Sequence, residues 1–149
     1  MLVSDLMTSP VVTVGLDDAL GDVREIFEQA HLRHVLVVDE GRLVGVISER
    51  DVLIRLSPYV NSNMYTTRDL ATLNMRVHQA VTRHPQSLHR NAQAYEAVRM
   101  FQSHRIGCIP VLDDEGAPVG IVTRGDLIRH FEAICATLCA CVPPGRGAQ

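Results

Sequence analysis

The chain carries the same sequence pattern twice, and this internal repeat constrains its fold more than any other feature. A shift of 74 residues places Val3 on Val77 and Phe27 on Phe101. After a one-residue insertion in a turn the shift becomes 75, and Gly45 then falls on Gly120. One alignment thus covers about fifty residues, so we expect two copies of a single supersecondary unit packed against each other.

Each copy has the same order of predicted elements. A short apolar strand comes first, over 11–14 or 86–88, and is followed by a helix whose apolar residues recur at spacings of three and four. Two Val- and Ile-rich runs separated by turn residues then predict a β-hairpin, and a second helix follows. The pattern indicates an α+β (α/β) chain of two β-α-β-β-α repeats.

One such unit leaves an apolar sheet face uncovered, so we expect the repeats to pack sheet to sheet about a pseudo-twofold axis. Two equivalent clefts would form where they meet, and such junctions commonly bind ligands. The predicted boundaries are 1–56 for the first repeat, 57–76 for a connector, 77–133 for the second repeat, and 134–149 for the helix end and tail.

Charge and hydropathy exclude several classes of protein. The 149 residues include 14 basic and 17 acidic side chains, with no basic stripe of the kind that binds nucleic acid. No apolar run approaches the ~18 residues of a membrane-spanning helix, and the N-terminus lacks the features of a secretory signal. We therefore expect a cytoplasmic protein with no nucleic-acid partner and no membrane insertion.

A short phrase, Gly-apolar-apolar-Ser/Thr-x-x-Asp, ends the hairpin of both copies as GVISERD and GIVTRGD. Its carboxylate, Asp51 or Asp126, can accept hydrogens from two adjacent hydroxyl groups such as those of ribose. A second interpretation is that Ser48 and Thr123 only cap the helices that follow. The two roles are compatible.

The cysteines suggest no strong metal motif. Cys135, Cys139 and Cys141 have the spacing C-x-x-x-C-x-C, which differs from paired C-x-x-C zinc motifs. Free cysteine also behaves as a small apolar residue. We predict no metal site, and keep a cysteine-based redox or metal sensor as the weakest alternative.

The repeats resemble cystathionine-β-synthase (CBS) domains, and the chain is similar to a tandem CBS pair, or Bateman module, without an attached enzyme or transporter. The resemblance extends from Val3 to about Phe131 and is carried by LRHVLVVDEGRLVGVISERDVL and IGCIPVLDDEGAPVGIVTRGDLI. It implies a regulatory module that binds AMP, ADP, ATP or S-adenosylmethionine between its repeats.

The resemblance also implies which residues line each cleft. In the family the hydroxyl and aspartate of the repeated phrase bind ribose, and cations at the positions of Arg33 and His34 bind phosphate, which makes the Asp126 cleft the preferred site. The predicted residues of that cleft are Thr123, Asp126, Gly120, Arg33, His34, Leu32, Val12 and Met7. Those of the second cleft are Ser48, Asp51, Arg50, Gly45, Ile106, Gly107, Cys108, Gln86 and Val81.

No residue falls in a recognised catalytic motif, so we predict a protein that is not an enzyme and has no catalytic cofactor. The expected output is a signal to an unidentified effector protein, and the resemblance implies a homodimer formed through the helices. The alternative is a structural or protein-interaction module with empty clefts. Which adenosyl ligand binds, and whether one or both clefts fill, are left open by the sequence.

Overall fold

The computed structural model describes residues 1–140 and contains seven strands and five helices in that range. In the first half these are β1 (Thr13–Gly15), α1 (Leu20–Ala30), β2 (His34–Asp39), β3 (Arg42–Ser48), α2 (Glu49–Arg55) and α3 (Thr67–Ala71). In the second half they are β4 (Thr82–Arg83), β5 (Leu88–His89), α4 (Ala94–Ser103), β6 (Cys108–Leu112), β7 (Pro118–Thr123) and α5 (Arg124–Ala140).

The strands form two sheets, one around each predicted hairpin. The first sheet has the order β1-β2-β3-β4, with β1 parallel to β2 and the remaining pairs antiparallel. The second has the order β5-β6-β7, with the same parallel first pair and antiparallel hairpin. In both hairpins the register shifts near the turn, between Val37 and Val38 and between Val111 and Leu112. The repeat in sequence is therefore a repeat in topology.

Short strands before the first helix of each repeat begin later than predicted. The strand predicted over 11–14 is β1, Thr13–Gly15, and the one predicted over 86–88 is β5, Leu88–His89. Neighbouring residues are used in other ways: Val11 packs against the apolar cluster between the sheets, and Gln86 lines a cavity. Apolar character predicted a strand in this region, but only pairing with β2 or β6 determines which residues extend it.

The segment that leads into each repeat packs on the other repeat. Val3 is fully buried in the core of the second repeat, with Ala97 and Ile109, and its N–H donates to the carbonyl of Ala92. Val77 is likewise fully buried in the core of the first repeat. Strand β4 extends this exchange, because it pairs with β3 of the first repeat. The two repeats therefore complete each other's cores.

A third apolar cluster lies between the two sheets. Leu36 and Val46 of the first sheet pack there with Cys108 of the second, and Ile121 contacts the same cluster. The predicted fold, two β-α-β-β-α repeats packed sheet to sheet, is confirmed. Within residues 1–140 no helix is long and apolar enough to cross a membrane.

Candidate functional site

Both repeated phrases form a capping box at the start of a helix. The N–H and hydroxyl of Ser48 donate to Oδ2 of Asp51 at 3.1 and 2.5 Å, and the Asp51 N–H donates back to the Ser48 hydroxyl. In the second repeat the N–H and hydroxyl of Thr123 donate to Oδ2 of Asp126 at 2.7 and 2.6 Å. The capping interpretation is therefore correct for both phrases, and it occupies only one oxygen of each carboxylate.

The other carboxylate oxygen, Oδ1, has different partners in the two repeats. Oδ1 of Asp126 accepts from the Thr8 hydroxyl at 3.2 Å and from the Arg129 guanidinium. Oδ1 of Asp51 accepts no hydrogen bond from any of the residues 1–140 that the structure describes. Asp126 is also buried, with a relative exposure of 6%, whereas Asp51 is half-buried. Only Asp51 thus presents an accessible oxygen with unused acceptor capacity.

Asp51 lies at a cavity of about 260 Å³ between the two repeats. The lining includes predicted second-cleft residues from both repeats, namely Ser48, Asp51, Gln86, Ile106, Gly107 and Cys108. Three predicted residues lie outside it: Arg50 is exposed, and Gly45 and Val81 pack against each other. The sequence interpretation missed four further lining residues, Val46, Thr82, Pro85 and Arg105. Thr82 had a usable signal, since the repeat alignment places it on Thr8.

His34 requires a correction, because we predicted it in the Asp126 cleft and its side chain lines the Asp51 cavity. The reason is the antiparallel pairing of β2 with β3, which sets His34 opposite Ser48. Gly107 makes room for the imidazole: a Cβ at position 107 would lie 2.9 Å from His34 Cε1. One of the two residues that motivated our preference for the Asp126 cleft is therefore on the Asp51 side.

A separate cavity of about 310 Å³ adjoins Asp126 and is lined by Asp5, Leu6, Thr8, Asp126, Arg129, His130 and Ala133. Of the residues predicted for this cleft, only Asp126 lines that cavity.

The other residues predicted for the Asp126 cleft have different surroundings. Met7 packs on Gly120, where an added Cβ would lie 2.7 Å from Met7 Cγ. Leu32 packs against the core of the first repeat, and Val12 is exposed. Arg33 is exposed and its carbonyl accepts from the N–H of Glu49. None of these four residues lines the cavity that adjoins Asp126.

Burial controls ionisation inside the Asp51 cavity. It lowers the pKa of His34, an effect that Arg33 reinforces and Asp51 opposes, so the imidazole is neutral at pH 7. Burial also raises the pKa of the Cys108 thiol to about 12, which keeps it protonated. The cavity therefore combines a neutral imidazole and a thiol with one carboxylate, Asp51, and one guanidinium, Arg105.

Metal chemistry has no support among the described residues, where no group of three or more His, Cys, Asp or Glu side chains is arranged to hold an ion. Cys135 is half-buried near the end of α5. Cys139 and Cys141 lie outside the side chains that the structure describes.

Two sequence repeats, two packed sheets and an inter-repeat cavity define a class of tandem-repeat α+β proteins. The family model "CBS domain" matches residues 3–58 and again 77–133. The chain belongs to the CBS-domain family, and the predicted resemblance to a tandem CBS pair is confirmed.

Several curated proteins are similar to most of the chain. An uncharacterized protein of Methanocaldococcus jannaschii, MJ1426, is 30% identical over an alignment of length 151. The alignment covers 86% of this chain and 89% of that protein. Two other relatives from the same organism are longer, and the chain spans only 38% and 47% of their length.

Two solved structures of CBS pairs contain adenosine compounds. The structure of CBSX2 in complex with AMP has a TM-score of 0.73 and 25% identity, covering 90% of this chain and 98% of that one. The CBS pair of protein MJ0100, in complex with 5-methylthioadenosine and S-adenosyl-L-methionine, has a TM-score of 0.70 and 26% identity, with the same coverage. These ligands are findings about those two proteins.

Proposed function

We propose that this protein is a regulatory module that binds an adenosine-containing ligand in the Asp51 cavity and signals its occupancy to a partner protein. The observation that carries the proposal is that Oδ1 of Asp51, at an inter-repeat cavity, accepts no hydrogen bond from the part of the chain that the structure describes. Adenosine compounds bound to similar CBS pairs support the ligand class. The candidates are AMP, ADP, ATP and S-adenosylmethionine.

The cavity offers a suitable group for each part of such a ligand. The Asp51 carboxylate can accept hydrogens from the two ribose hydroxyls, because an ionised carboxylate only accepts. Apolar groups for a flat base come from both repeats, Val46 from the first and Pro85 and Ile106 from the second. Arg105 supplies a positive charge that a phosphate can pair with.

These observations reverse the preference that we drew from the sequence. His34 lines the Asp51 cavity, together with Arg105, whereas the carboxylate of Asp126 is buried and engaged by Thr8 and Arg129. We therefore propose the Asp51 cavity as the primary site. A ligand there would contact both repeats, and it would alter their relative orientation only by binding one arrangement more tightly than another.

The test is a calorimetric titration of purified protein with AMP, ADP, ATP and S-adenosylmethionine. We expect at least one of them to bind, and Asp51→Asn to weaken that ligand roughly tenfold to a hundredfold, since hydrogen bonds to a charged group are lost. Asp69→Asn is the matched control. Asp69 forms the same kind of capping box with Thr66, on the connector helix and away from the cavity.

Two results would overturn the proposal. If none of the four compounds releases heat or raises the melting temperature, the alternative of a structural or interaction module with empty clefts is favoured. If a compound binds but Asp51→Asn weakens it no more than Asp69→Asn does, the site is elsewhere.

We further propose that the module acts as a homodimer. Ile128 and Phe131 of α5 and Tyr95 of α4 are each about two-thirds exposed, at 67, 67 and 68%. They line an apolar groove of about 480 Å³, while Leu53, the counterpart of Ile128 in the first repeat, is 56% exposed. Exposed apolar faces at equivalent positions of both repeats suit a self-complementary contact with a second copy.

Light scattering coupled to size exclusion tests this assembly. We expect the protein to elute with twice the mass of one chain and Phe131→Asp to elute with the mass of a single chain. Tyr59→Asp is the control, because Tyr59 is a similarly exposed aromatic side chain in the connector. A wild-type protein that is monomeric at high micromolar concentration would refute the homodimer.

A further inference from the structure

The two aspartates of the repeated phrase differ in how many hydrogens they can still accept. A carboxylate has about four lone-pair positions, two on each oxygen. In Asp126 all of them are used: Oδ2 accepts two hydrogen bonds from Thr123, and Oδ1 accepts from Thr8 and Arg129. A ribose cannot bind this carboxylate without displacing one of those groups.

Asp51 has only half of these partners. Oδ2 accepts the two hydrogen bonds from Ser48, and Oδ1 has no donor among the described residues. Thr82, the counterpart of Thr8, lines the Asp51 cavity. Within residues 1–140 its hydroxyl makes no hydrogen bond to Asp51. The nearby guanidinium of Arg55 donates to backbone carbonyls of Gln79 and Asp51, and so leaves the carboxylate free.

The charged partner of Oδ1 differs because of a single position of the repeat. Arg129 lies three residues after Asp126 on α5, and residues spaced by three share a helix face. The equivalent position on α2 is Ile54, which has no hydrogen-bonding group and is 67% exposed. The first repeat therefore has no cation that can reach Asp51 in the same way.

We infer that Arg129 acts as a built-in substitute for a ligand, occupying the Oδ1 of Asp126 and restricting each chain to one adenosine site, at Asp51. The inference rests on the proposed function, because it concerns which of the two clefts accepts the nucleotide. If the inference holds, Arg129 determines how many nucleotide molecules bind to each chain. An arginine at position 54 would occupy Oδ1 of Asp51 by the same geometry, and loss of the arginine at position 129 would leave Oδ1 of Asp126 with the Thr8 hydroxyl as its donor.

Calorimetry with AMP as the probe tests the inference through stoichiometry per chain. We expect one site in the wild type and a second, weaker site in Arg129→Ile, which places the first-repeat residue in the second repeat. Arg99→Ile is the control, since Arg99 is an exposed arginine of α4 and is not in contact with Asp126. Thermal melting establishes that each variant is folded.

The reciprocal variant, Ile54→Arg, adds an arginine to the first repeat. It removes no hydrogen-bond partner of a buried charge, so it carries less risk of unfolding the protein than Arg129→Ile. Ile54→Arg is expected to lower AMP affinity at Asp51 by at least tenfold. Met64→Arg is its matched control, because it adds the same charge at an exposed apolar position of the connector, outside the Asp51 cavity. The double variant with Arg129→Ile is expected to bind one AMP through Asp126.

The outcomes separate this inference from the proposed function. Two sites in the wild type, or one site in both wild type and Arg129→Ile, would overturn the role of Arg129 while leaving a nucleotide-binding module. Equal AMP affinities of Ile54→Arg and Met64→Arg would also overturn it. If the wild type does not bind AMP, binding gained by Arg129→Ile supports the blocking role of Arg129 and refutes AMP as the ligand of the Asp51 cavity. Absence of AMP binding in both proteins refutes the inference, and the titrations with ADP, ATP and S-adenosylmethionine then decide the proposed function.

Discussion

At the scale of single residues, the cavity depends on a histidine that burial keeps neutral. His34 is half-buried between Gly107 and the end of β3. Removal from water is the largest cause of its lowered pKa, and the positive charge of Arg33 acts in the same direction. A neutral imidazole can donate one hydrogen bond and accept another, so His34 can contact a ligand without adding charge.

The lowered pKa makes stability depend on pH. The unfolded chain binds a proton at His34 near the ordinary value of 6.5, and the folded protein does so only at lower pH. Protonation therefore favours the unfolded state, and the contribution of His34 is intact above pH 6.5 and lost as the pH falls below it. We expect the melting temperature of the ligand-free wild type to fall more than that of His34→Gln between pH 7.5 and 5.

A histidine outside the cavity serves as the control for this measurement. His78 is exposed in a 3₁₀ turn, so His78→Gln should show the same pH dependence as the wild type. A wild type that becomes more stable than His34→Gln on acidification would contradict the assignment.

At the scale of elements, the pairing of β3 with β4 depends on the absence of a side chain at Gly45. A Cβ at that position would lie 2.9 Å from the carbonyl oxygen of Thr82 and closer still to the Val81 side chain. The neighbouring group is backbone, so it cannot move away without disturbing the β3–β4 ladder. Thr82 also lines the Asp51 cavity, which links this contact to the proposed site.

We therefore expect Gly45→Ala to lower the free energy of unfolding by about 1–3 kcal/mol, as overpacking does, and to weaken AMP binding. Urea denaturation and calorimetry give the two values. The comparison is Gly15→Ala in β1, where the added Cβ would meet Asp18 at an ordinary 3.7 Å. Equal stabilities of the two variants would show that β4 is not held by the close approach.

At the scale of the whole molecule, exchange of the leading segments joins the two repeats. Val3 belongs to the core of the second repeat and Val77 to the core of the first, and both are fully buried. A backbone bridge between Thr8 and Ile121 and the pairing of β4 with β3 extend these contacts. Each repeat therefore requires the segment that leads into the other repeat.

A pair of conservative truncations tests this exchange. Val3→Ala and Val77→Ala are each expected to cost about 2 kcal/mol, because a buried side chain is shortened in a packed core. Hydrogen exchange then identifies the core that loosens. Val3→Ala should raise exchange mainly in β6 and β7, and Val77→Ala mainly in β2 and β3. Loosening in the repeat that contains the substituted residue would contradict the exchange.

The sequence predicted those parts of the structure that depend on residues close to each other along the chain. The hairpins, their helices and the repeated capping phrase follow from apolar spacing and turn residues within a few positions of each other. The same local signals failed to predict the strand limits near Val11 and Gln86. These depend on pairing with β2 and β6, which the local pattern does not contain.

The sequence by itself determined that this protein has two equivalent repeats, each with an aspartate after a hairpin, because pattern and spacing are visible along the chain. Only the tertiary structure decided which side chains meet. Antiparallel pairing brought His34 to Ser48 and so to Asp51, and the fold brought Thr8 to Asp126, 118 residues away. Carboxylates with the same capping box became chemically different because hydrogen-bonding capacity depends on neighbours in space.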